Sequence, residues 1–129
     1  MAVEMKLGSV KETAVAFLTL AATGKVREAY EQFVSKGFRH HNPFYKGDRD
    51  TLMRAMIDNS EKNPKRTYEM KRAVEEGGLV AVHSHIRPYP EVMGFQTFHL
   101  FRFEEGKIAE MWDVVQPLPE TSPNENGIF

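Results

Sequence analysis

Residues 98 to 120 read FHLFRFEEGKIAEMWDVVQPLPE, which is two strand-like runs joined by a tight turn. His99 interrupts the first apolar run, and Asp113 interrupts the second. Burying a polar group without a partner costs free energy, so a polar residue at a core position needs a structural or chemical reason. This hairpin therefore bears on both the fold and the function of the chain.

The register of the hairpin decides whether its two polar residues meet. A three-residue loop over residues 104 to 106 would place His99 and Asp113 on one face of the sheet as diagonal neighbours. A two-residue turn over residues 105 and 106 would separate them. We expect the three-residue loop, because the two-residue turn would force Glu105 to a positive φ.

Outside the hairpin, the chain has a helical first half and a strand-rich second half. Apolar spacing predicts helices over residues 9 to 23, 25 to 34 and 49 to 59, and strands over residues 67 to 75, 79 to 87, 95 to 103 and 107 to 116. Ser9 and Asp48 are the expected N-caps of the first and third helices. Helices followed by an antiparallel meander predict an α+β fold.

Length and charge limit the function classes. The 129 residues, 41% of them hydrophobic, fit one domain over residues 1 to 129, with residues 1 to 8 and 121 to 129 as tails. The 17 basic and 18 acidic residues are interspersed and give a net charge of −1, so the chain has no basic surface for nucleic acid or anionic lipid. The expected partner is a small molecule or a second copy of the chain.

The chain has no cysteine, which excludes disulfides, thiol catalysis and thiolate metal sites. No apolar run reaches about 18 residues, and the first residues are too polar for a signal sequence. We therefore expect a cytoplasmic protein.

Further histidines extend the candidate site. His83 and His85 share one side of their strand, while Met111, Asp113 and Val115 share one side of the last strand. A sheet face with imidazoles and one carboxylate among apolar residues fits an apolar pocket with a few convergent polar groups. Such groups can move protons near neutral pH.

A second cluster of polar residues precedes Pro43, where the chain must turn. If this segment is extended, only one of His40 and His41 can point into the pocket. We expect it to be His41, with Asn42 beside it.

The opposite face of the predicted sheet is apolar. Its residues are expected to be Val80, Val82, Ile86, Phe98, Leu100, Trp112 and Val114. A large apolar face must be covered, which predicts a homodimer formed through the sheet.

Five short motifs carry a resemblance to a known family. They are HNP at residues 41 to 43, GD at 47 and 48, LVAVHS at 79 to 84, FRFEEGKIAE at 101 to 110 and WDVVQP at 112 to 117. With the order of elements, they resemble the SnoaL-like polyketide cyclase family of the nuclear transport factor 2-like (NTF2-like) superfamily. The ending from Pro117 is similar to that of predicted SnoaL-like aldol condensation enzymes. The resemblance runs from about Val10 to the C-terminus and implies a cone-shaped α+β fold, with N-terminal helices packed on a curved antiparallel sheet.

The resemblance also implies residue roles. In the cyclases of this family, an aspartate on the last strand is the general acid and base of an aldol closure, with a histidine on the preceding strand nearby. Asp113 and His99 occupy these positions. The relatives with the most similar ending usually have histidine where this chain has Met111, and an acidic residue where it has His99.

The resulting hypothesis is an enzyme that uses Asp113 and His99 for proton transfer at carbon beside a carbonyl, as an aldol-type cyclase, an isomerase or a related lyase. It needs no metal or nucleotide cofactor, and its substrate would be an apolar, carbonyl-containing small molecule. The expected substrate-binding residues are His41, Asn42, His83, His85 and Met111. Two alternatives stay open: a non-catalytic small-molecule binding module of the same fold, and a zinc or iron site formed by histidines with Asp113.

Overall fold

The computed structural model describes residues 8–129, which form three helices and a five-stranded sheet. In chain order the elements are α1 (Val10–Ala22), α2 (Val26–Phe33), β1 (Val34–His40), α3 (Arg49–Lys62), β2 (Thr67–Glu76), β3 (Leu79–Arg87), β4 (Phe95–Glu104) and β5 (Lys107–Pro117). The expected N-terminal tail lies outside the described residues, except for Gly8. None of the three described helices is long and apolar enough to cross a membrane.

Two helices begin where the sequence predicts. Ser9 Oγ accepts a hydrogen bond from the N–H of Glu12 at 3.2 Å, and Asp48 Oδ2 accepts one from the N–H of Thr51 at 3.0 Å. These bonds satisfy N–H groups that a helix leaves free in its first turn. Both expected N-caps are therefore confirmed, and they fix the starts of α1 and α3.

The prediction from sequence gives a short extended piece from Phe38 but not β1 as a strand of the sheet. It extends the second helix to Val34, whereas α2 ends at Phe33 and the chain enters β1 directly. The strand buries Val34, Phe38 and His40, but its alternation is broken within residues 35 to 37, and its register with β5 also shifts before the end of the strand. A period of two is therefore not visible in this part of the sequence.

The sheet is mixed rather than wholly antiparallel. Its strand order is β1-β5-β4-β3-β2, in which β2 to β5 form an antiparallel meander and β1 runs parallel to β5. The sequence predicts the meander but not the fifth strand. Because β1 lies beside β5, the residues that follow β1 come close to the middle of β5.

The hairpin between β4 and β5 closes through two residues, so the expected three-residue loop is wrong. Glu104 pairs with Lys107, and φ is 50° at Glu105 and 78° at Gly106. Positive φ at both central positions is the pattern of a type I′ turn, whose twist matches that of the flanking strands. The strands gain this match at the cost of placing a glutamate in the left-handed region.

A bulge in β5 brings the two polar residues of the hairpin together. Ala109 is an extra residue on this strand and shifts the pairing by one. Beyond the bulge, His99 pairs directly with Asp113 instead of lying diagonal to it. The two-residue turn therefore does not separate the pair, because the bulge restores a shared face.

The inner face of the sheet is the one that carries Asp113. Val82 pairs with His99, which pairs with Asp113, and alternation along β3 adds Val80 and Ile86 to the same face. The expectation that these three apolar residues belong to the outer face is therefore wrong. Phe98, Leu100, Trp112 and Val114 do lie on the opposite, outer face, as expected.

The core lies between the inner face and the helices. Phe17 of α1 packs edge-on against Tyr30 of α2 and Phe101 of β4, with ring centroids 5.4 and 5.8 Å away. All three side chains are buried, and burying a large apolar side chain contributes about 1.5–3 kcal/mol. Met111 continues this core along β5, but the next inner-face residue, Asp113, borders a cavity instead.

Candidate functional site

A cavity of about 720 Å³ lies beside the end of β1. Its walls come from the loop after β1, the end of α3 and the inner face of the sheet. Ile86, Phe95 and Val115 supply apolar surface, and Thr97 and Asp113 are polar groups of the inner face. The volume and this mixture of groups are typical of a small-molecule pocket.

Asp113 is held at the cavity wall by Asn42. Asn42 Nδ2 donates a hydrogen bond to Asp113 Oδ2 at 3.0 Å, and Asn42 Oδ1 accepts one from the N–H of Phe44 at 3.0 Å. The second bond fixes which end of the amide faces the carboxylate. Asn42 reaches Asp113 because β1 is parallel to β5, and the N–H of His41 bonds to the carbonyl of Met111 at 2.9 Å.

Two side-chain atoms at the cavity are buried without a hydrogen-bond partner within residues 8–129. They are Asp113 Oδ1 and Thr97 Oγ1. Buried polar atoms are normally paired, and leaving one unpaired costs about 1–3 kcal/mol. These two atoms therefore have unused hydrogen-bonding capacity at the cavity.

His99 is the cross-strand neighbour of Asp113, but it is not part of the cavity wall. Its ring stacks on Phe101 with centroids 5.7 Å apart, and in the described part of the chain its Nδ1 has no partner. Burial lowers the pKa of His99 below its usual 6.5, while the negative charge of Asp113 opposes that shift. The imidazole is therefore neutral at neutral pH.

Tyr30 is a further ionisable group near the carboxylate. Burial raises the pKa of its phenol well above the usual range, Arg49 lowers it, and the charge of Asp113 raises it again. The phenol is therefore protonated, and it donates a hydrogen bond to Met56 Sδ at 3.1 Å. Tyr30 belongs to the core that supports the site and does not line the cavity.

His83 and His85 lie on the outer face, so their expected place in the pocket is wrong. His83 stacks on Phe98 with ring centroids 4.2 Å apart, and its Nε2 bonds to Gln96 Oε1 at 2.8 Å. Strand alternation explains the placement, because Phe98 and His99 point to opposite faces. The error lies in the face that was assigned to β3 and not in the prediction of the strand.

The last residues of the chain pack over these two histidines. Residues 121 to 129 form no helix or strand, yet the ring of Phe129 lies 5.4 Å from that of His83 and 4.6 Å from that of His85. Lys71 Nζ lies 4.8 Å from the centroid of the same phenylalanine. The two histidines thus pack under the end of the chain on the outer face, away from Asp113.

The choice of His41 over His40 for the pocket is also wrong. His41 stacks on Trp112 with centroids 4.8 Å apart, and its Nε2 bonds to Glu110 Oε2 at 2.6 Å. His40 is buried, and its Nε2 bonds to the carbonyl of Lys46 at 2.7 Å. Neither imidazole lines the cavity.

Met111 shares the inner face with Asp113, as expected, but it is only 4% exposed and belongs to the core. The residues of the alternative metal site do not come together either, because the sheet separates His83 and His85 from Asp113. Within residues 8–129, no three His, Asp, Glu or Cys side chains are close enough together to hold a metal ion. Of the expected substrate-binding residues, only Asn42 meets Asp113 at the cavity.

Among the cavity residues that the prediction from sequence missed are Thr97 and Arg66. Thr97 shares the inner face with His99 by simple alternation, so the signal for it was present. Arg66 lies in the segment between α3 and β2, and no pattern in the sequence points to it. Its position follows only from the way α3 closes over the sheet.

Comparisons with known proteins agree with this architecture. The family model of the SnoaL-like polyketide cyclases matches residues 11–120. No curated protein matches the sequence. Among solved structures, a candidate polyketide cyclase from Bacillus cereus is 20% identical, with a TM-score of 0.70 over 82% of this chain and 73% of that chain.

Two other solved structures cover almost all of their own length. A candidate isomerase of the SnoaL-like family from Agrobacterium tumefaciens is 12% identical, with a TM-score of 0.69 over 83% of this chain and 97% of that chain. An NTF2-like protein of unknown function from Cytophaga hutchinsonii is 21% identical, with a TM-score of 0.62 over 88% and 96%. At these identities the likeness concerns the fold alone, and it confirms the expected NTF2-like α+β architecture.

Proposed function

The chain belongs to the SnoaL-like polyketide cyclase family, and we propose that it is an enzyme that removes a proton from a carbon beside a carbonyl group. The reaction would be that of an aldol-type cyclase, an isomerase or a related lyase, and it requires no metal or nucleotide. One observation carries the proposal: Asp113 lines the cavity with Oδ1 buried and, within residues 8–129, unpaired.

In this proposal Asp113 is the general base. Oδ1 takes the proton, and the electrons of the broken C–H bond move to the carbonyl oxygen to form an enolate. Asn42 holds Oδ2 at 3.0 Å, so that the free oxygen keeps one orientation. A base positioned in this way contributes about 10²–10⁴-fold to the rate.

The enolate oxygen needs a donor, and one inner-face residue at the cavity is a candidate. The hydroxyl of Thr97 is unpaired in the described part of the chain and lies at the cavity. His99 is neutral and lies outside the cavity wall, so its role would be to orient Asp113 as a cross-strand neighbour, not to reach the oxyanion. The apolar walls would exclude water and strengthen these interactions.

The test is exchange of the α-hydrogens of a ketone with deuterium in D₂O, followed by proton NMR. The probe is 1-tetralone, a bicyclic ketone that is small enough for the cavity. We expect the wild-type protein to accelerate exchange at the carbon beside the carbonyl, and Asp113→Asn to lower that rate by about 10²–10⁴-fold. Asn has nearly the same shape as Asp, so the fold should be kept.

The matched control is Asp58→Asn. Asp58 is exposed on α3, where it pairs with Lys62 at 3.0 Å, and a surface pair of this kind contributes little to stability. Its exchange rate should equal that of the wild type. Unchanged exchange in Asp113→Asn would contradict the proposal. Binding of the ketone without any exchange would favour the non-catalytic binding module. The described residues form no hydrogen bond between His99 and Asp113, which also agrees with that alternative.

The outer face supports a second proposal, pairing of two copies of the chain. Phe98 is 49% exposed and Val114 is 66% exposed on neighbouring strands, where they are direct cross-strand partners. Trp112 and Leu100 extend the same apolar surface. A surface of this kind is favoured for contact with a second copy because the same patch can face itself across a two-fold axis.

A further inference from the structure

The cavity contains one charged group that the proposed chemistry leaves without a role. Arg66 lines the same cavity as Asp113, in the segment between α3 and β2. A backbone hydrogen bond from its N–H to the carbonyl of Asn63, 3.2 Å long, closes the turn that presents it. The cavity wall therefore carries a cation as well as the catalytic carboxylate.

The guanidinium group of Arg66 has no carboxylate partner within residues 8–129. The ion pairs of the described residues involve other arginines, and Glu61, which shares a neighbouring cavity with Arg66, is not within pairing distance. Burial lowers the pKa of Arg66 from its usual value, yet a guanidinium stays charged at neutral pH. The protein thus keeps a partly buried positive charge without compensation from its own described side chains.

The end of α3 does not account for this arginine. A cation near a helix C-terminus can satisfy the last carbonyls. Here Asn63 does so, because its backbone N–H bonds to the carbonyls of Asn59 and Ser60, and its Nδ2 bonds to the carbonyl and Oδ1 of Asn59. Within residues 8–129, no guanidinium bond to these carbonyls is formed, so Arg66 is free to bind a molecule in the cavity.

We propose that Arg66 binds a carboxylate group of the substrate. The cavity would then take a carbonyl compound with an apolar body, placing its carboxylate at Arg66 and its acidic carbon at Asp113. This inference rests on the proposed function, and it replaces the wholly apolar substrate expected from the sequence. Asn59 belongs to the same wall, and because its Oδ1 already accepts from Asn63, the donor it can offer to the carboxylate is Nδ2.

The charges of the cavity favour a single negative charge on the ligand. Arg66 offers a planar fork that matches a carboxylate with two parallel hydrogen bonds. A phosphate with two negative charges would be only half compensated by Arg66 and would be repelled by Asp113. Ile86, Phe95 and Val115 provide apolar surface for the body of the ligand.

The experiment compares 2-naphthoate with 2-naphthamide by isothermal titration calorimetry. The two probes have the same ring system and nearly the same shape, and they differ in charge. A charge-assisted, bidentate contact should make wild-type affinity for naphthoate about tenfold or more higher than for naphthamide. Arg66→Gln should abolish this preference by weakening naphthoate alone, and Arg66→Lys should keep part of it.

Two further variants separate this inference from the proposed function. Arg54→Gln removes an exposed arginine of α3 outside the cavity and should leave the preference unchanged. Asp113→Asn should keep or increase it, because a negative charge is removed from the cavity. If ketone exchange fails but the preference depends on Arg66, the carboxylate site stands and the proposed reaction is wrong.

Three results would overturn the inference. The first is equal affinity of the wild-type protein for both probes. The second is a preference that survives in Arg66→Gln, with folding of the variant checked by circular dichroism. The third is failure of the wild-type protein to bind naphthoate at millimolar concentration.

Discussion

Both faces of the β3-β4-β5 sheet carry polar side chains, but the two faces differ in whether these side chains have hydrogen-bond partners. On the outer face, His83 bonds to Arg72 and Gln96, His85 bonds to the carbonyl of Met93, and His41 bonds to Glu110. On the inner face, Asp113 Oδ1, Thr97 Oγ1 and His99 Nδ1 are buried and have no partner within residues 8–129.

This difference distinguishes the two faces by their hydrogen bonding. A satisfied histidine lowers the free energy of the fold, whereas an unsatisfied buried atom raises it by about 1–3 kcal/mol. An unsatisfied buried atom in a native structure needs an explanation, and a bound water, ion or ligand is one of them. Unpaired atoms at a cavity are therefore a better guide to the site than the number of histidines on a strand.

The largest expected effect tests the outer face as a contact between copies. Replacing Phe98 and Val114 together by lysine should weaken the dimer by about a hundredfold or more, because charges replace an apolar centre. Light scattering at micromolar concentration would show a dimer for the wild type and a monomer for the double variant. Tyr89→Lys changes an exposed aromatic residue of the loop between β3 and β4 and should stay dimeric. Scattering that shows only monomers for the wild type would refute the contact.

A matched pair of hydroxyls on the inner face gives the next largest effect. Thr97 and Ser84 are direct cross-strand partners and both are buried, but Ser84 Oγ bonds to Tyr68 Oη at 2.8 Å whereas Thr97 Oγ1 is unpaired in the described residues. Ser84→Ala should cost about 1–2 kcal/mol in the free energy of unfolding, because it leaves a phenol without its partner. Thr97→Val should cost less than about 0.5 kcal/mol, because no bond is lost.

Urea denaturation measures the free energy of unfolding of both variants, and ketone binding shows which of the two hydroxyls contacts a ligand. Thr97→Val should bind 1-tetralone more weakly than the wild type, whereas Ser84→Ala should bind it equally well. Equal destabilisation by the two changes would contradict the contrast between paired and unpaired hydroxyls.

The smallest expected effect is a loss of stability that is absent at neutral pH and appears as the pH is lowered. The pKa of His99 is lower in the folded state than in the unfolded state because of burial, so below about pH 6.5 the unfolded chain binds more protons. Stability is therefore fully present above this pH and should fall as the pH falls through it. His99→Gln should reduce the slope. Asp113→Asn should increase it, because the carboxylate opposes the shift.

Free energies of unfolding measured by urea titration between about pH 5 and pH 7.5 test this sign. A slope in His99→Gln equal to that of the wild type would show that the imidazole is not buried in its neutral form.

Local patterns in the sequence predict most elements of the fold. Ser9 and Asp48 cap their helices as expected, and the predicted strands of the meander agree with the structure to within one residue at each end. These features depend on neighbours in the chain, such as a side-chain oxygen three residues from a free N–H, so sequence alone specifies them.

Features that depend on distant parts of the chain were not predicted. β1 was not predicted as a strand of the sheet because, within residues 8–129, its only ladder is with β5, more than 70 residues further along the chain. The bulge at Ala109 has no signature in residue type, yet it sets the register that pairs His99 with Asp113. A one-residue change in register moves a whole strand to the other face, so the wrong face was assigned to His83 and His85 although their strand was predicted correctly.

The sequence by itself determined the family and the α+β class, and it made Asp113 the candidate base, because motifs and periodicity are properties of consecutive residues. Only the tertiary structure decided which residues surround that carboxylate. Parallel pairing of β1 brings Asn42 to it, the turn after α3 adds Arg66 to its cavity, and the sheet places three expected histidines on the far side. The physical reason is that a pocket is assembled from segments far apart in the chain, and their approach depends on strand register and helix packing rather than on local pattern.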